Sequence, residues 1–221
     1  MFTVFNWFVK ITAWIPQLFG LRIRTYYEDK RVQGKRIRGK AIIVSNHNSV
    51  WDVAVMMFIF WRRTLRCIVA EVMFNKGFFM NMFLKLLGAI RVERESHDFS
   101  FLDKSERILS RGGVVEIYPE SRLPKEGEER PLEFKPSAVY LALETGAPII
   151  PVYNSRESFK TKRSAVIIGK PINVRELYDD SLDHKDNVEK ITKQLRGKII
   201  ELGEQLQRQM GKAEEKEKET V

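Results

Sequence analysis

One cysteine, three histidines and no clean apolar run of about twenty residues are what this chain of 221 residues has in short supply. The lone thiol, Cys67, excludes a disulfide framework and a cysteine metal cluster. It lies in the run Cys67-Ile68-Val69-Ala70 and reads as a buried strand residue in a protein of a reducing compartment. The most apolar stretch, residues 1–21, has Lys10 in its middle and Pro16 interrupting it, which argues against a transmembrane span. It also lacks the leading positive charge and small-residue cleavage site of a secretory leader. No long polar linker divides the chain, and its 43% hydrophobic content is ample for one α/β domain.

What the chain does have is positive charge. A formal net charge of +9 attracts polyanions, whether nucleic acid, anionic lipid headgroups or phosphorylated small molecules. In the first third the basic residues follow an aromatic-rich segment containing Phe2, Phe5, Trp7, Phe8 and Trp14. Those aromatics sit in an apolar segment, not on an alternating strand surface that would stack bases, so nucleic acid is the weaker reading. Tryptophan beside basic residues suits the membrane interface. Residues 1–21 are therefore expected to form a membrane-interacting helical segment, the alternative being a helix packed on the protein's own core. Residues 22–210 are expected to form the α/β domain, and 211–221 a charged, disordered tail.

The domain is organised around Ser45-Asn46-His47-Asn48-Ser49-Val50-Trp51-Asp52. Ahead of it, Ala41-Ile42-Ile43-Val44 reads as a buried strand; behind it, Val53 to Phe58 reads as a buried helix. His47 thus falls at the C-terminal rim of a strand, where α/β sheets bind ligands. Five residues along one helix would turn Asp52 about 140° from His47. The two meet only if His47 lies in the loop and Asp52 in the first helical turn. Ser49 and Asp52 have capping-box spacing, and the helix N-terminus favours a carboxylate there. The carboxylate would then fix the imidazole tautomer that leaves the other nitrogen free as a base. The plain alternative is a helix cap beside a hydrogen-bonded loop histidine.

Further along, the sequence alternates strands and helices, predicting a mixed, mostly parallel central sheet flanked by helices. Asn75 to Leu87 is apolar and of helical length. Its Phe78, Phe79, Met82 and Phe83 suit an adaptable acyl-chain groove, although core packing is the commoner use of such residues. The strand Val114 to Tyr118 delivers Pro119-Glu120-Ser121-Arg122 to the same rim as His47. The prolines of Pro148 to Tyr153 suit an edge strand or a bend. Ile191, Leu195, Ile199, Leu202 and Leu206 form one stripe on a closing helix from about Lys185 to Met210.

Taken together, the pieces resemble glycerolipid acyltransferases of the lysophosphatidate (1-acyl-sn-glycerol-3-phosphate) type. The Asn-His-x-x-x-x-Asp motif of that family is similar to Asn46-His47 through Asp52, and its glycine-to-arginine block to Gly88 through Arg94. Its Phe-Pro-Glu-Gly-Thr-Arg block is similar to Tyr118-Pro119-Glu120-Ser121-Arg122, and its apolar block about a proline to Ile149-Ile150-Pro151-Val152. Two departures touch the acceptor site. A single Ser121 replaces Gly-Thr, and Arg91 and Glu93 replace an apolar residue and Asp.

The resemblance implies transfer of a fatty acyl group from acyl-CoA or acyl carrier protein to the free hydroxyl of a lysophosphatidate-type acceptor, making phosphatidate in phospholipid synthesis. His47 would be the base and Asp52 its orienting partner. Asn46, Arg94, Glu120, Ser121 and Arg122 would bind substrate. Neither a cofactor nor a metal is implied, the thioester being a substrate. The partners implied are membrane lipids and the acyl donor, at the cytoplasmic face of a membrane, held peripherally or monotopically. The rival readings are acylation of a different lysolipid or of glycerol 3-phosphate, and a non-catalytic basic membrane adaptor on the same fold.

Overall fold

The computed structural model describes residues 2–12, 23–93, 99–155 and 164–219. Its frame is a seven-stranded sheet in the order β1-β7-β6-β2-β5-β3-β4. The strands are β1 (Arg24–Tyr27), β2 (Ala41–Ser45), β3 (Leu65–Ala70), β4 (Ile90–Val92), β5 (Val114–Ile117), β6 (Ile149–Asn154) and β7 (Ala165–Ile168). Among the described strands only the β6–β7 pairing is antiparallel, with one isolated antiparallel bridge from Ile149 to Ile172. The sheet is therefore mixed and mostly parallel, as the alternating pattern predicts.

Strand β2 lies at the centre, and its apolar run is buried from end to end, as a parallel strand covered on both faces must be. On one face α2 (Asp52–Ile59) packs Val55, Met56 and Ile59 over Ile43, Val114 and Val152. The other face carries α5 (Ser100–Ser110), α6 (Ser137–Thr145) and the start of α7 (His184–Glu219), over Ile42, Val44, Val115 and Ile117. Because β2, β5 and β6 run the same way, their C-terminal ends share one rim.

Two helices differ from the rest. Helix α1 (Phe2–Thr12) buries Asn6 and Lys10 and exposes Val4, Phe8 and Ile11. It is an amphipathic helix turned inside out. The Lys10 ammonium donates to the carbonyls of Trp61 (2.9 Å) and Arg63 (2.7 Å) just beyond α2. Burial pulls that ammonium down to about 8. Phe5 meets Phe83 edge to face at 5.9 Å, joining α1 to α4 (Phe78–Leu87), which follows the one-turn α3 (Glu71–Phe74) and whose own Phe78 and Phe79 are more than three-quarters exposed. Helix α4 ends at Gly88 in a left-handed conformation (φ 74°), where a Cβ would fall 1.5 Å from Arg66 Nη1. That guanidinium reaches the Leu87 carbonyl at 3.1 Å, so the glycine opening the second block admits a cap for the helix.

Two expectations need correction. β6 is not an edge strand: it lies between β7 and β2, with Pro151 opposite Val44. Its proline stands opposite Gly169, just past the end of β7, so the missing N–H falls beyond the paired residues while the carbonyl still accepts Gly169 N–H at 2.8 Å. The charged residues expected as a disordered tail continue α7 to Glu219, consistent with the helix propensity of Lys, Glu and Ala. The carbonyls just beyond α2 and those of the loop before β2 are held by different cations. Lys10 binds those of Trp61 and Arg63, while Arg63 binds those of Ile37 and Gly39.

Candidate active site

Strand β2 stops at Ser45, and four residues cross the rim before the turn into α2. This short crossing brings the two ends of the sequence motif together: His47 Nδ1 lies 2.9 Å from Asp52 Oδ2. Asp52 is fully buried, and its carboxylate is saturated. Oδ2 also accepts the backbone N–H groups of Asn48 (2.7 Å) and Ser49 (2.8 Å), and Oδ1 accepts Asn154 Nδ2 (2.9 Å). The bond to Ser49 N–H is one half of a capping box. In the other half Ser49 Oγ meets Trp51 N–H at 3.3 Å, one residue short of the expected partner.

An acceptor-only carboxylate facing Nδ1 requires the proton there, which leaves Nε2 with its lone pair. Among the described residues nothing hydrogen-bonds Nε2, and the side chain is 19% exposed. A base with one nitrogen braced and the other open to the rim is what proton abstraction from a bound hydroxyl needs.

The remaining motif residues divide by what they touch. Asn46 exchanges two bonds with the backbone of Asn154, at 2.8 and 3.0 Å, stitching β2 to β6 past the last pleat. Glu120 is buried, with Oε1 on His47 N–H and Oε2 on Leu132 N–H, both at 2.8 Å. Burial raises its carboxyl, opposed by those same two donors. Ser121 has φ 61° and is the only described non-glycine residue in the left-handed region, a conformation that costs roughly 1 kcal/mol. It holds the turn with its N–H on Tyr118 O at 3.1 Å. Arg122 stands at the surface and grips Glu128 with both terminal nitrogens, at 2.7 and 2.8 Å. That grip pulls the Glu128 carboxyl down to about 2. Arg94 and Trp14 lie outside the described residues.

Of the apolar candidates, Phe78 and Met82 line an open groove of about 470 Å³ together with Phe74, Asn81 and Lys85. Phe79 and Phe83 do not line it; Phe79 points outward and Phe83 lies against Phe5. No helix among the described residues is long and apolar enough to cross a membrane.

Sequence reasoning gave no role to three residues that the structure brings to the site. Asn154 bridges Asp52, Asn46 and Asn48, the last by Nδ2 to its carbonyl at 2.8 Å. A polar residue closing an apolar strand at the ligand rim was the available signal. Tyr118 lays its ring beside the imidazole, centroids 4.5 Å apart. Glu116, a charge inside an apolar strand, receives the Tyr118 hydroxyl.

A family model described as Acyltransferase matches residues 23–155. The chain is 29% identical over 177 residues to the 1-acyl-sn-glycerol-3-phosphate acyltransferase beta of Homo sapiens, covering 79% of this chain and 60% of that one. To the 1-acyl-sn-glycerol-3-phosphate acyltransferase of Bacillus subtilis it is 30% identical over 129 residues, covering 56% and 62%. The chain thus spans about three-fifths of the length of these relatives. Among solved structures, the fold matches the 1-acyl-sn-glycerophosphate acyltransferase PlsC of Thermotoga maritima. The TM-score is 0.58 and the identity 18%, over 90% of this chain and 87% of that one.

Proposed function

The chain belongs to the acyltransferase family, and on that premise we propose that it moves a fatty acyl group from a thioester to the free hydroxyl of a lysophosphatidate-type acceptor, making phosphatidate. The observation that carries this reading is the 2.9 Å contact between His47 Nδ1 and Asp52 Oδ2 at the sheet rim, with Nε2 left open. Nε2 takes the hydroxyl proton as the acceptor oxygen attacks the thioester carbonyl. The tetrahedral adduct collapses, the carbon–sulfur bond breaks, and the imidazolium returns its proton to the departing thiolate. The alcohol is itself the nucleophile, so no acyl-enzyme forms. Asp52 cannot turn away, because four donors hold its two oxygens. Positioning of the acceptor against Nε2 supplies much of the acceleration.

Arg122 is the described cation suited to the acceptor phosphate, since its fork already holds a planar carboxylate, that of Glu128, in the bidentate geometry that phosphate also satisfies. In this reading Glu128 keeps the place of the phosphate until acceptor arrives. Glu120 acts on the scaffold, tying the His47 backbone to Leu132. The donor, acyl-CoA or acyl carrier protein, enters as substrate.

The protein works at a membrane surface, held peripherally or monotopically on the cytoplasmic side. The support is the outward apolar face of α1, continued by Phe78 and Phe79 of α4. Exposed aromatic surface of this kind settles among lipid headgroups. The turn at Ser121, a single residue at φ 61° where the resembled motif has Gly-Thr, favours a second reading, in which another lysolipid or glycerol 3-phosphate is the acceptor. A screen of thioester donors and lysolipid acceptors on vesicles, read by lipid mass spectrometry, decides. Phosphatidate from lysophosphatidate is expected; product only from another acceptor supports the second reading, and no acyl product at all sinks both.

A further inference from the structure

Glu116 and Tyr118 take no part in the chemistry above, yet they sit directly against it. The register of β5 places Glu116 between Ile43 of β2 and Cys67 of β3, fully buried. Its Oε1 accepts the Tyr118 hydroxyl and its Oε2 has no hydrogen-bond partner. Burial above all, and the Asp52 charge after it, raises this carboxyl to about 8. A buried acid with one oxygen unsatisfied packs worse than the valine or leucine that an interior strand prefers. Two residues on and on the same face, the Tyr118 ring lies beside the His47 ring, centroids 4.5 Å apart and planes tilted by 31°. In the motif this block resembles, the residue is Phe; here the added hydroxyl has a buried acceptor waiting.

We infer that Tyr118 is a positioning residue for His47: its ring face stabilises the imidazolium formed on proton abstraction, and Glu116 pins the hydroxyl so that the ring stays in place. The inference rests on His47 acting as the base. The ring face attracts a cation and is nearly indifferent to neutral imidazole, so it favours the state that follows proton transfer. Among the described residues, the charged groups nearest this imidazole are carboxylates, with Arg130 acting on Glu120 behind them. Asp52 faces it from α2, and Glu120 binds its backbone from the loop after β5.

The test follows the His47 imidazole by NMR across pH in the full chain, with no acyl substrate present, beside pH profiles of acyl transfer. Tyr118→Leu should move the His47 titration midpoint to lower pH and reduce kcat about tenfold, leaving the acceptor KM nearly unchanged. Tyr118→Phe, which keeps the ring but loses the pinned hydroxyl, should move the midpoint less than Tyr118→Leu and lower kcat about threefold. Glu116→Gln, which still accepts the hydroxyl, should keep both rate and midpoint. Glu116→Leu should lower kcat about threefold and weaken the proton contacts between the two rings. An unmoved midpoint in Tyr118→Leu overturns the proposal. If that variant does not fold, ring contacts and kcat in Glu116→Leu equal to wild type overturn it instead. Failure of the base assignment looks different: His47→Ala would then keep acyl transfer, whatever the midpoints in the Tyr118 variants.

Discussion

Helices α1 and α7 are both amphipathic and solve opposite problems. Helix α7 buries the stripe Ile191, Leu195, Ile199, Leu202 and Leu206 and turns lysine and glutamate outward. Helix α1 buries Asn6 and Lys10 and turns Val4 and Ile11 outward, 73% and 69% exposed. The same rule, like against like, operates in both, so the difference lies in what each helix faces. Helix α7 turns its charged face to water; in the membrane reading proposed above, α1 turns its apolar face to lipid, with Lys10 as the polar hook that fixes it to the end of α2.

The contrast breaks first where burial is deepest. Leu202→Ala empties a fully buried site on α7 and should cost about 2–5 kcal/mol of stability in chemical denaturation, whereas Ile11→Ala should change it by less than about 0.5 kcal/mol. An Ile11 variant as damaging as Leu202→Ala would mean that α1 is an ordinary core helix. The converse experiment uses lipid: Phe8→Glu with Ile11→Glu should weaken vesicle binding about a hundredfold, measured by sedimentation, with the fold intact. Binding equal to wild type would remove α1 from the membrane account.

Two glutamates repeat the contrast on a smaller scale. Buried Glu116 is pushed up to about 8 and surface Glu128 pulled down to about 2. For Glu116 the unfolded chain ionises near 4.5 while the folded chain keeps its proton to about 8, so between those values the unfolded state holds fewer protons. Its contribution to stability is full below 4.5 and is lost as the pH rises to about 8. Glu116→Gln should therefore remove a slope on the order of 1 kcal/mol per pH unit, seen as a flatter denaturation midpoint against pH. Glu128→Gln acts outside the core. It should lower the KM for a phosphate-bearing acceptor about threefold at unchanged kcat, because the variant competes less for Arg122. A raised KM would mean that Glu128 helps to bind the acceptor.

Local chemistry made part of this molecule readable from its residues. The strand–loop–helix around His47 could be laid out because five-residue spacing, a β-branched run and capping residues all act within about ten positions of one another. The leucine stripe of α7 was legible for the same reason. What could not be read depends on register between distant strands. Asn154 reaches Asp52 across 102 residues, and only the parallel pairing of β6 with β2 puts it there. The prolines beside it gave an edge-strand signal, which the neighbouring Gly169 bond overrides. Glu116 was visible as an anomaly in an apolar strand, but its partner Tyr118 gains meaning only once the His47 ring is placed against it. The inverted face of α1 needed to be told which side met the protein.

The central claim is that His47, braced by Asp52, is the base for acyl transfer at a lipid surface. The most direct measurement compares wild type with His47→Ala on vesicles carrying lysophosphatidate and a labelled acyl thioester, following labelled phosphatidate and sedimentation together. The account predicts a loss of at least about a thousandfold in product with vesicle binding unchanged. Product formation by His47→Ala close to that of the wild type would contradict it.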